Sequence, residues 1–233
     1  MKKTYLSLSV LLIVLCLAAS PAYAHFGMII PSDEMVMKDD PKNIKLNLMF
    51  WHPFEGQVTP IKIKSHTAWQ AAYLVGRPGL YVFYMEPEAY WEPAEDCFII
   101  HYTKTYVTAM GEDEGWDEPI GLKTEIVPLS KPYGLYTGNV FQGVVMLKGK
   151  AVPYAEVEVE YFNQDGQVKA PTGYMITQTI KADKNGVFTY AVPRAGWWGF
   201  AALNADDKKI KRSGEEKSVE IGAVIWVRFY DMK

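Results

Sequence analysis

The sequence predicts an all-β protein of two β-sandwich-like domains, preceded by a cleaved signal peptide. Short segments of alternating apolar and polar residues recur along the chain, and turns rich in Gly, Pro, Asn and Asp separate them. No long amphipathic helical pattern interrupts this series. The 233 residues are 49% hydrophobic and 22% charged, a composition that supports a buried core. We therefore expect a first sandwich over about residues 25–130 and a second over 131–233.

The first 24 residues have the three parts of a secretory signal peptide. Lys2 and Lys3 provide the positive start, residues 6–17 the apolar stretch, and residues 22–24 (Ala-Tyr-Ala) the cleavage site. Cleavage there would make His25 the first residue of the mature protein. The expected location is the periplasm, and no later apolar run is long enough to cross a membrane as a helix.

The strands expected in the first domain alternate in the manner of half-buried sheets. In residues 44–52, Leu46, Leu48 and Phe50 share one side with His52, which ends the strand before a proline. An acidic, aromatic loop is expected over residues 86–96. Further strands are predicted at residues 60–66, 79–85 and 97–107.

A second strand series is expected after a linker at residues 128–138. Residues 155–162 alternate cleanly, so Val157, Val159 and Tyr161 should point inward and the three glutamates at 156, 158 and 160 outward. A turn is predicted at residues 183–186 (Asp-Lys-Asn-Gly). The other predicted strands are 140–147, 174–181, 187–192, a strand opening at 196–200, and 219–230.

Charge and motifs exclude several classes of function. The formal net charge is −3 and no basic cluster is present, which disfavours nucleic-acid binding. The sequence has no Gly-x-Ser-x-Gly elbow, phosphate-binding loop or His-Glu-x-x-His motif, so we do not expect an enzyme. The mature chain keeps one cysteine, Cys97, and therefore no internal disulfide.

The histidines predict a metal site in the first domain. All four of them (His25, His52, His66 and His101) precede residue 131. At the mature N-terminus, the α-amine and the ring Nδ1 of His25 could chelate one metal ion in a six-membered ring. Imidazole and amine nitrogen suit Ni²⁺, Co²⁺ and Cu²⁺. His52 is the preferred additional ligand, then His101, and last His66, which shares a side with two lysines.

Other interpretations of these residues remain open. Each histidine could be an ordinary core or edge residue, and the cysteine a small buried hydrophobe. Carboxylates of the loop 86–96 could act as ligands or support His101. Two imidazoles and an amine would also hold copper in a histidine-brace protein or enzyme. A non-metal binding or adhesive module is the third alternative.

The second half resembles the seven-stranded modules of the carboxypeptidase regulatory-like or transthyretin-like kind. The similar segments are residues 143–159, with Gly-Lys-Ala-Val-Pro at 149–153, and residues 182–198, with Asp-Lys-Asn-Gly and Gly-Trp-Trp. These are mostly turn and core residues. The resemblance therefore implies an Ig-like fold and says nothing of chemistry.

The whole mature chain resembles the DUF4198 family. The residues that carry the resemblance are 25–31 (His-Phe-Gly-Met-Ile-Ile-Pro), 52–56 (His-Pro-Phe-Glu-Gly), 84–102 and 196–198. The family includes the periplasmic NikK- or CbiK-like component that accompanies nickel and cobalt ABC-type uptake systems. The resemblance implies capture of a divalent transition metal, nickel or cobalt, and partnership with the membrane components of a transporter.

Overall fold

The computed structural model describes residues 25–55 and 68–232. The predicted signal peptide, the predicted strand at 60–66 and His66 all lie outside these residues. Within them the chain is all-β, with two short 3₁₀ turns (Pro53–Glu55 and Gly173–Met175) and no α-helix. Accordingly, none of the described residues forms a helix long and apolar enough to span a membrane.

The strands follow the alternation and turn signals of the sequence. Eighteen are present in the described residues: β1 (Phe26–Pro31), β2 (Met35–Val36), β3 (Asn43–Trp51), β4 (Ala68–Leu74), β5 (Gly79–Met85), β6 (Tyr90–Glu92), β7 (Cys97–Ala109), β8 (Thr124–Pro128), β9 (Leu135–Tyr136), β10 (Val140–Leu147), β11 (Lys150–Ala151), β12 (Glu156–Tyr161), β13 (Gln178–Lys181), β14 (Val187–Ala191), β15 (Gly196–Ala205), β16 (Ile210–Arg212), β17 (Glu215–Lys217) and β18 (Val219–Tyr230).

A nine-stranded sheet forms the centre of the molecule. Its main order is β13-β12-β15-β18-β7-β2, with β5 and β6 also paired to β7 and β9 to β18. The pair β18–β7 is parallel and joins the end of the chain to its first half, from Val219 beside Phe98 to Trp226 beside Thr105. The predicted domain boundary near residue 130 falls between β8 and β9, while this sheet is shared by both halves of the chain.

Two smaller sheets cover the two faces of the central sheet. On one face lies the antiparallel sheet β1-β3-β4, and buried Phe26 and Met28 of β1 pack there against Trp226 of the central sheet. On the other face, β10 pairs with β8, β11 and β14, and Phe141 packs against Phe200. Burying such apolar side chains contributes about 1.5–3 kcal/mol each, so these contacts hold the three layers together.

Three expectations for local structure were wrong. The strand expected at residues 174–181 is confined to Gln178–Lys181, and the 3₁₀ turn Gly173–Met175 precedes it. The acidic segment 86–96, predicted as a loop, contains β6, because Tyr90 and Glu92 pair with the first residues of β7. Glu160 was expected to face solvent, yet it is 1% exposed, and the hydroxyl of Thr177 donates a hydrogen bond to its carboxylate. Strand alternation gives the side of the sheet on which a residue lies, and a second layer decides whether that side is buried.

Candidate functional site

The pairing of β1 with β3 brings His25 beside His52. The two strands are antiparallel, and Phe26 lies opposite Trp51 at the end of the ladder. The next residues in this register are the two histidines. Their ring centroids are 4.0 Å apart with an interplanar angle of 45°. The structure thus places together the two residues that the sequence ranked first as metal ligands.

Aromatic rings pack around His25. Phe50 stacks on the ring of His25 with centroids 5.5 Å apart and an interplanar angle of 13°. Tyr90 of β6 lies 5.8 Å from His25 and 5.4 Å from Phe50, measured between ring centroids. These rings remove water from around the imidazoles, so electrostatic interactions at the site are stronger than at an open surface.

Burial keeps the imidazole of His25 uncharged at neutral pH. It lowers the pKa of His25 to about 4, and the neighbouring His52 lowers it further in the same direction. Glu92 of β6 has a carboxylate oxygen 3.6 Å from Nδ1 of His25. Because the ring is neutral, this contact is not an ion pair at neutral pH, and its length exceeds that of a hydrogen bond.

His25 has a nitrogen without a partner. Its Nε2 is buried and has no hydrogen-bond partner among the residues that the structure describes. Buried polar atoms are usually hydrogen-bonded, so such an atom marks a place where an interaction is missing. The neutral ring, the second imidazole and the nearby carboxylate are groups that fit a divalent transition metal.

His101 of β7 belongs to the same cluster through Phe50. The ring of Phe50 meets the ring of His101 edge-on, with centroids 5.5 Å apart. His101 is 2% exposed, and burial, with a smaller effect of His25, lowers its pKa to about 3. The backbone N–H of Gly27 donates a hydrogen bond to Nδ1 of His101 over 3.1 Å.

Gly27 is held from both sides of its backbone. Its carbonyl accepts a hydrogen bond of 2.8 Å from Nε1 of Trp226, while its N–H is bound to His101. A Cβ at this position would lie 2.2 Å from Oγ1 of Thr103 and 3.0 Å from Cβ of His101. Only glycine therefore allows β1 to lie this close to β7. The backbone of β1 is thereby held at Gly27, two residues after His25.

Side chains alone do not complete a metal site here. Across residues 25–55 and 68–232, no group of three or more His, Cys, Asp or Glu side chains is arranged to hold a metal ion. His66, the remaining predicted ligand, lies outside this part of the chain. A further donor at His25 would have to come from elsewhere, such as the α-amine that cleavage after Ala24 would create.

Cys97, at the start of β7, is a buried thiol. Burial raises its pKa to about 11, with the neighbouring Glu220, Glu95 and Glu92 acting in the same direction. The thiol is therefore protonated at neutral pH and is a poor metal ligand. The interpretation of this residue as a small buried hydrophobe agrees with its 8% exposure.

The sequence analysis did not identify the aromatic residues that surround the site. Phe50 was assigned to a strand face and Tyr90 to a loop, and neither was connected with His25. Glu92 was considered only as one of several loop carboxylates. The signal that could have found Phe50 was strand register: a β1–β3 pair in which residue numbers sum to 77 aligns His25 with His52 and Gly27 with Phe50.

Fold and site together define an all-β protein with a buried histidine cluster at the start of its first strand. The chain belongs to the family described as Domain of unknown function (DUF4198), which matches residues 57–206. This matched segment includes Glu92 and His101, whereas His25 and His52 precede it. No curated protein sequence matches the chain.

Among solved structures, the chain is similar to the D0-D1 domain of Intimin. The two share 12% sequence identity, and the similarity covers 86% of this chain and 99% of the other. The TM-score is 0.23, so this similarity carries no argument about fold or function.

Proposed function

We propose that this protein binds a divalent transition metal, nickel or cobalt, in the periplasm and assists a metal uptake transporter. The metal would be held by the α-amine and ring of His25 after signal cleavage, together with His52. The observation that carries the proposal is the 4.0 Å separation between the two imidazole centroids beside an acidic side chain. The family resemblance supports the transport role and the membrane partner.

Protons compete weakly for the imidazole of His25 at neutral pH. A metal ion competes with protons for imidazole nitrogen, and a pKa of about 4 for His25 means that little proton competition exists at neutral pH. The α-amine has an ordinary pKa of about 7.7–8.0, so it also releases its proton readily to a bound metal. Glu92, close to Nδ1 of His25, would offset part of the positive charge that a divalent ion brings.

The fixed start of β1 supports tight capture. The two hydrogen bonds of Gly27 hold the backbone two residues from the proposed chelate. Donors that are already in place lose little conformational freedom when the metal binds, which raises affinity. Release to a membrane partner would then require contacts that displace the chain end from His52.

The proposal is tested by comparing two forms of the mature protein that differ only at the chain end. One form begins at His25 with a free amine, and the other carries the same end acetylated. We expect calorimetry with Ni²⁺ to show that acetylation weakens binding about 100-fold, the size of effect that losing one arm of a chelate produces. His52→Ala should weaken binding in the free-amine form, and Glu88→Gln, an exposed residue of the neighbouring loop, should not.

Other outcomes of these measurements, or of an activity assay with copper, would replace the proposal. Equal Ni²⁺ affinity in both forms would remove the terminal chelate. Absence of binding to any divalent ion would favour the non-metal binding module. Cleavage of a polysaccharide by the copper-loaded protein with reductant and peroxide would favour the histidine-brace enzyme.

A further inference from the structure

We propose that His101 is a positioning residue that fixes the chain end for metal binding and is not itself a ligand. This inference rests on the proposed function, since it assigns a role at the same site. It differs from the ligand role that the sequence predicted for His101. Two features of His101 support this role: the direction of one hydrogen bond and the position of the other ring nitrogen.

The hydrogen bond from Gly27 determines where the proton of His101 lies. A backbone N–H can only donate, so Nδ1 of His101 must be the acceptor in the 3.1 Å contact. Burial keeps the ring neutral, and a neutral imidazole carries one proton, which is then on Nε2. The lone pair of Nδ1 is used by Gly27 and Nε2 holds a hydrogen, so neither nitrogen offers a free lone pair to a metal.

The second nitrogen of His101 lies over Gly222 on the face of the central sheet. A Cβ built on Gly222 of β18 would lie 2.7 Å from Nε2 and 2.5 Å from Cδ2 of His101. The ring therefore fills the space that Gly222 leaves open, between β18 and the backbone of β1. Phe50 contacts both His101 and His25, with centroids 5.5 Å away in each case.

His101 and Trp226 together hold the backbone of β1 at Gly27. Its Nδ1 holds the N–H of Gly27, and Trp226 holds the carbonyl of the same residue. His25 lies two residues further toward the chain end. Removing the acceptor at His101 would leave a buried N–H unpaired and loosen the start of β1, while the donors at His25 and His52 would stay chemically intact.

Two substitutions separate positioning from ligation. Asparagine places an acceptor oxygen close to the position of Nδ1, so His101→Asn should keep the bond to Gly27. Glutamine places its polar atoms near the position of Nε2, so His101→Gln should lose that bond. In calorimetry with Ni²⁺, we expect His101→Asn to bind with an affinity close to that of wild type. His101→Gln should bind about tenfold more weakly.

Counting the imidazoles that coordinate the metal distinguishes a positioning residue from a ligand. With Cu²⁺ as the probe, pulsed EPR should report the same number of coordinated imidazoles in wild type, His101→Asn and His101→Gln. His52→Asn is the matched control and should lose one. A loss of one imidazole in His101→Asn would overturn the inference and make His101 a ligand.

Nitrogen NMR of the metal-free protein separates failure of this inference from failure of the proposed function. We expect ¹⁵N shifts of an unprotonated Nδ1 and a protonated Nε2 in His101. A proton on Nδ1 would overturn the inference whatever the metal data show. Wild-type protein that binds neither Ni²⁺ nor Cu²⁺ would overturn the proposed function, and with it any positioning role toward a metal.

Discussion

Two clusters of polar side chains pack against opposite faces of β7, and they differ in how completely their atoms are hydrogen-bonded. On one face, Lys104 donates to Glu125 over 2.6 Å, and the carboxylate also accepts from the backbone N–H groups of Ile120 and Gly121. Both side chains are nearly fully buried. On the other face, His101 and His25 each keep an Nε2 without a hydrogen-bond partner in the described part of the chain.

This difference distinguishes a structural network from a candidate binding site. A buried charge is tolerated when it is paired and hydrogen-bonded, and Lys104 and Glu125 pair with each other while backbone N–H groups also bind the carboxylate. In the histidine cluster, His101 is buried and His25 is partly buried, and each has a ring nitrogen without a hydrogen-bond partner in the described residues. Incomplete buried groups require an explanation such as an absent ligand or a functional role. Three changes test this contrast, beginning with the largest expected effect.

Breaking the complete network should cost the most stability. Lys104→Met leaves the carboxylate of Glu125 buried without its counter-charge, and such a loss destabilises proteins by about 3–5 kcal/mol. Urea unfolding measures the change. The double variant with Glu125→Gln removes the unpaired charge and should recover part of the loss. A single variant as stable as wild type would show that the pair is not structural.

A side chain at Gly27 should disturb the open cluster with a smaller loss of stability. Gly27→Ala places a methyl group 2.2 Å from Oγ1 of Thr103, and such overpacking costs about 1–3 kcal/mol. We expect a lower free energy of unfolding together with weaker Ni²⁺ binding. Gly76→Ala is the control, since nothing lies within 4 Å of its added Cβ. Equal effects of the two substitutions would contradict the close packing of β1 on β7.

The free energy of unfolding should depend on pH through two glutamates near Cys97. Burial, together with the charges of Glu95 and Glu156, raises the pKa of Glu158 to about 7, and Glu220 is raised to about 7 by burial, Glu95 and Glu158. The folded protein therefore holds protons that the unfolded chain has released between pH about 4.5 and 7. Stability from these groups is present below that window and is lost as the pH rises through it.

Glu158→Gln should therefore stabilise the protein at pH 7.5 and change it little at pH 4.5. The expected gain is about 1 kcal/mol or less, because water still reaches the carboxyl. Urea unfolding at the two pH values measures it, with Glu114→Gln, at an exposed glutamate away from this group, as the control. A gain of equal size at both pH values would show that charge is not the cause.

Local patterns predicted much of the secondary structure. The last strand was expected at residues 219–230 and is found at Val219–Tyr230, and the turn at 183–186 is closed by backbone N–H groups that donate to Asp183. The strand expected at residues 44–52 is found at Asn43–Trp51, directly before His52. These features depend on alternation, β-branched and aromatic residues, and turn chemistry, all of which act between residues close in sequence.

The environment of the site could not be predicted in the same way. Nothing local indicated that Tyr90 and Glu92 belong to a strand, because β6 exists only through its pairing with β7. Gly27 has no room for a side chain because Thr103 and His101, which are distant in sequence, lie against it. The predicted cleavage after Ala24 directed attention to His25, while the structure identified its neighbours.

The sequence by itself determined an all-β chain, its main strands and turns, and the candidate histidines. Only the tertiary structure decided that His25 meets His52, that His101 binds Gly27, and that Trp226 reaches the same glycine across 199 residues of sequence. The physical reason is that a period of two specifies which side of a strand is apolar. It does not specify which distant strand covers that side.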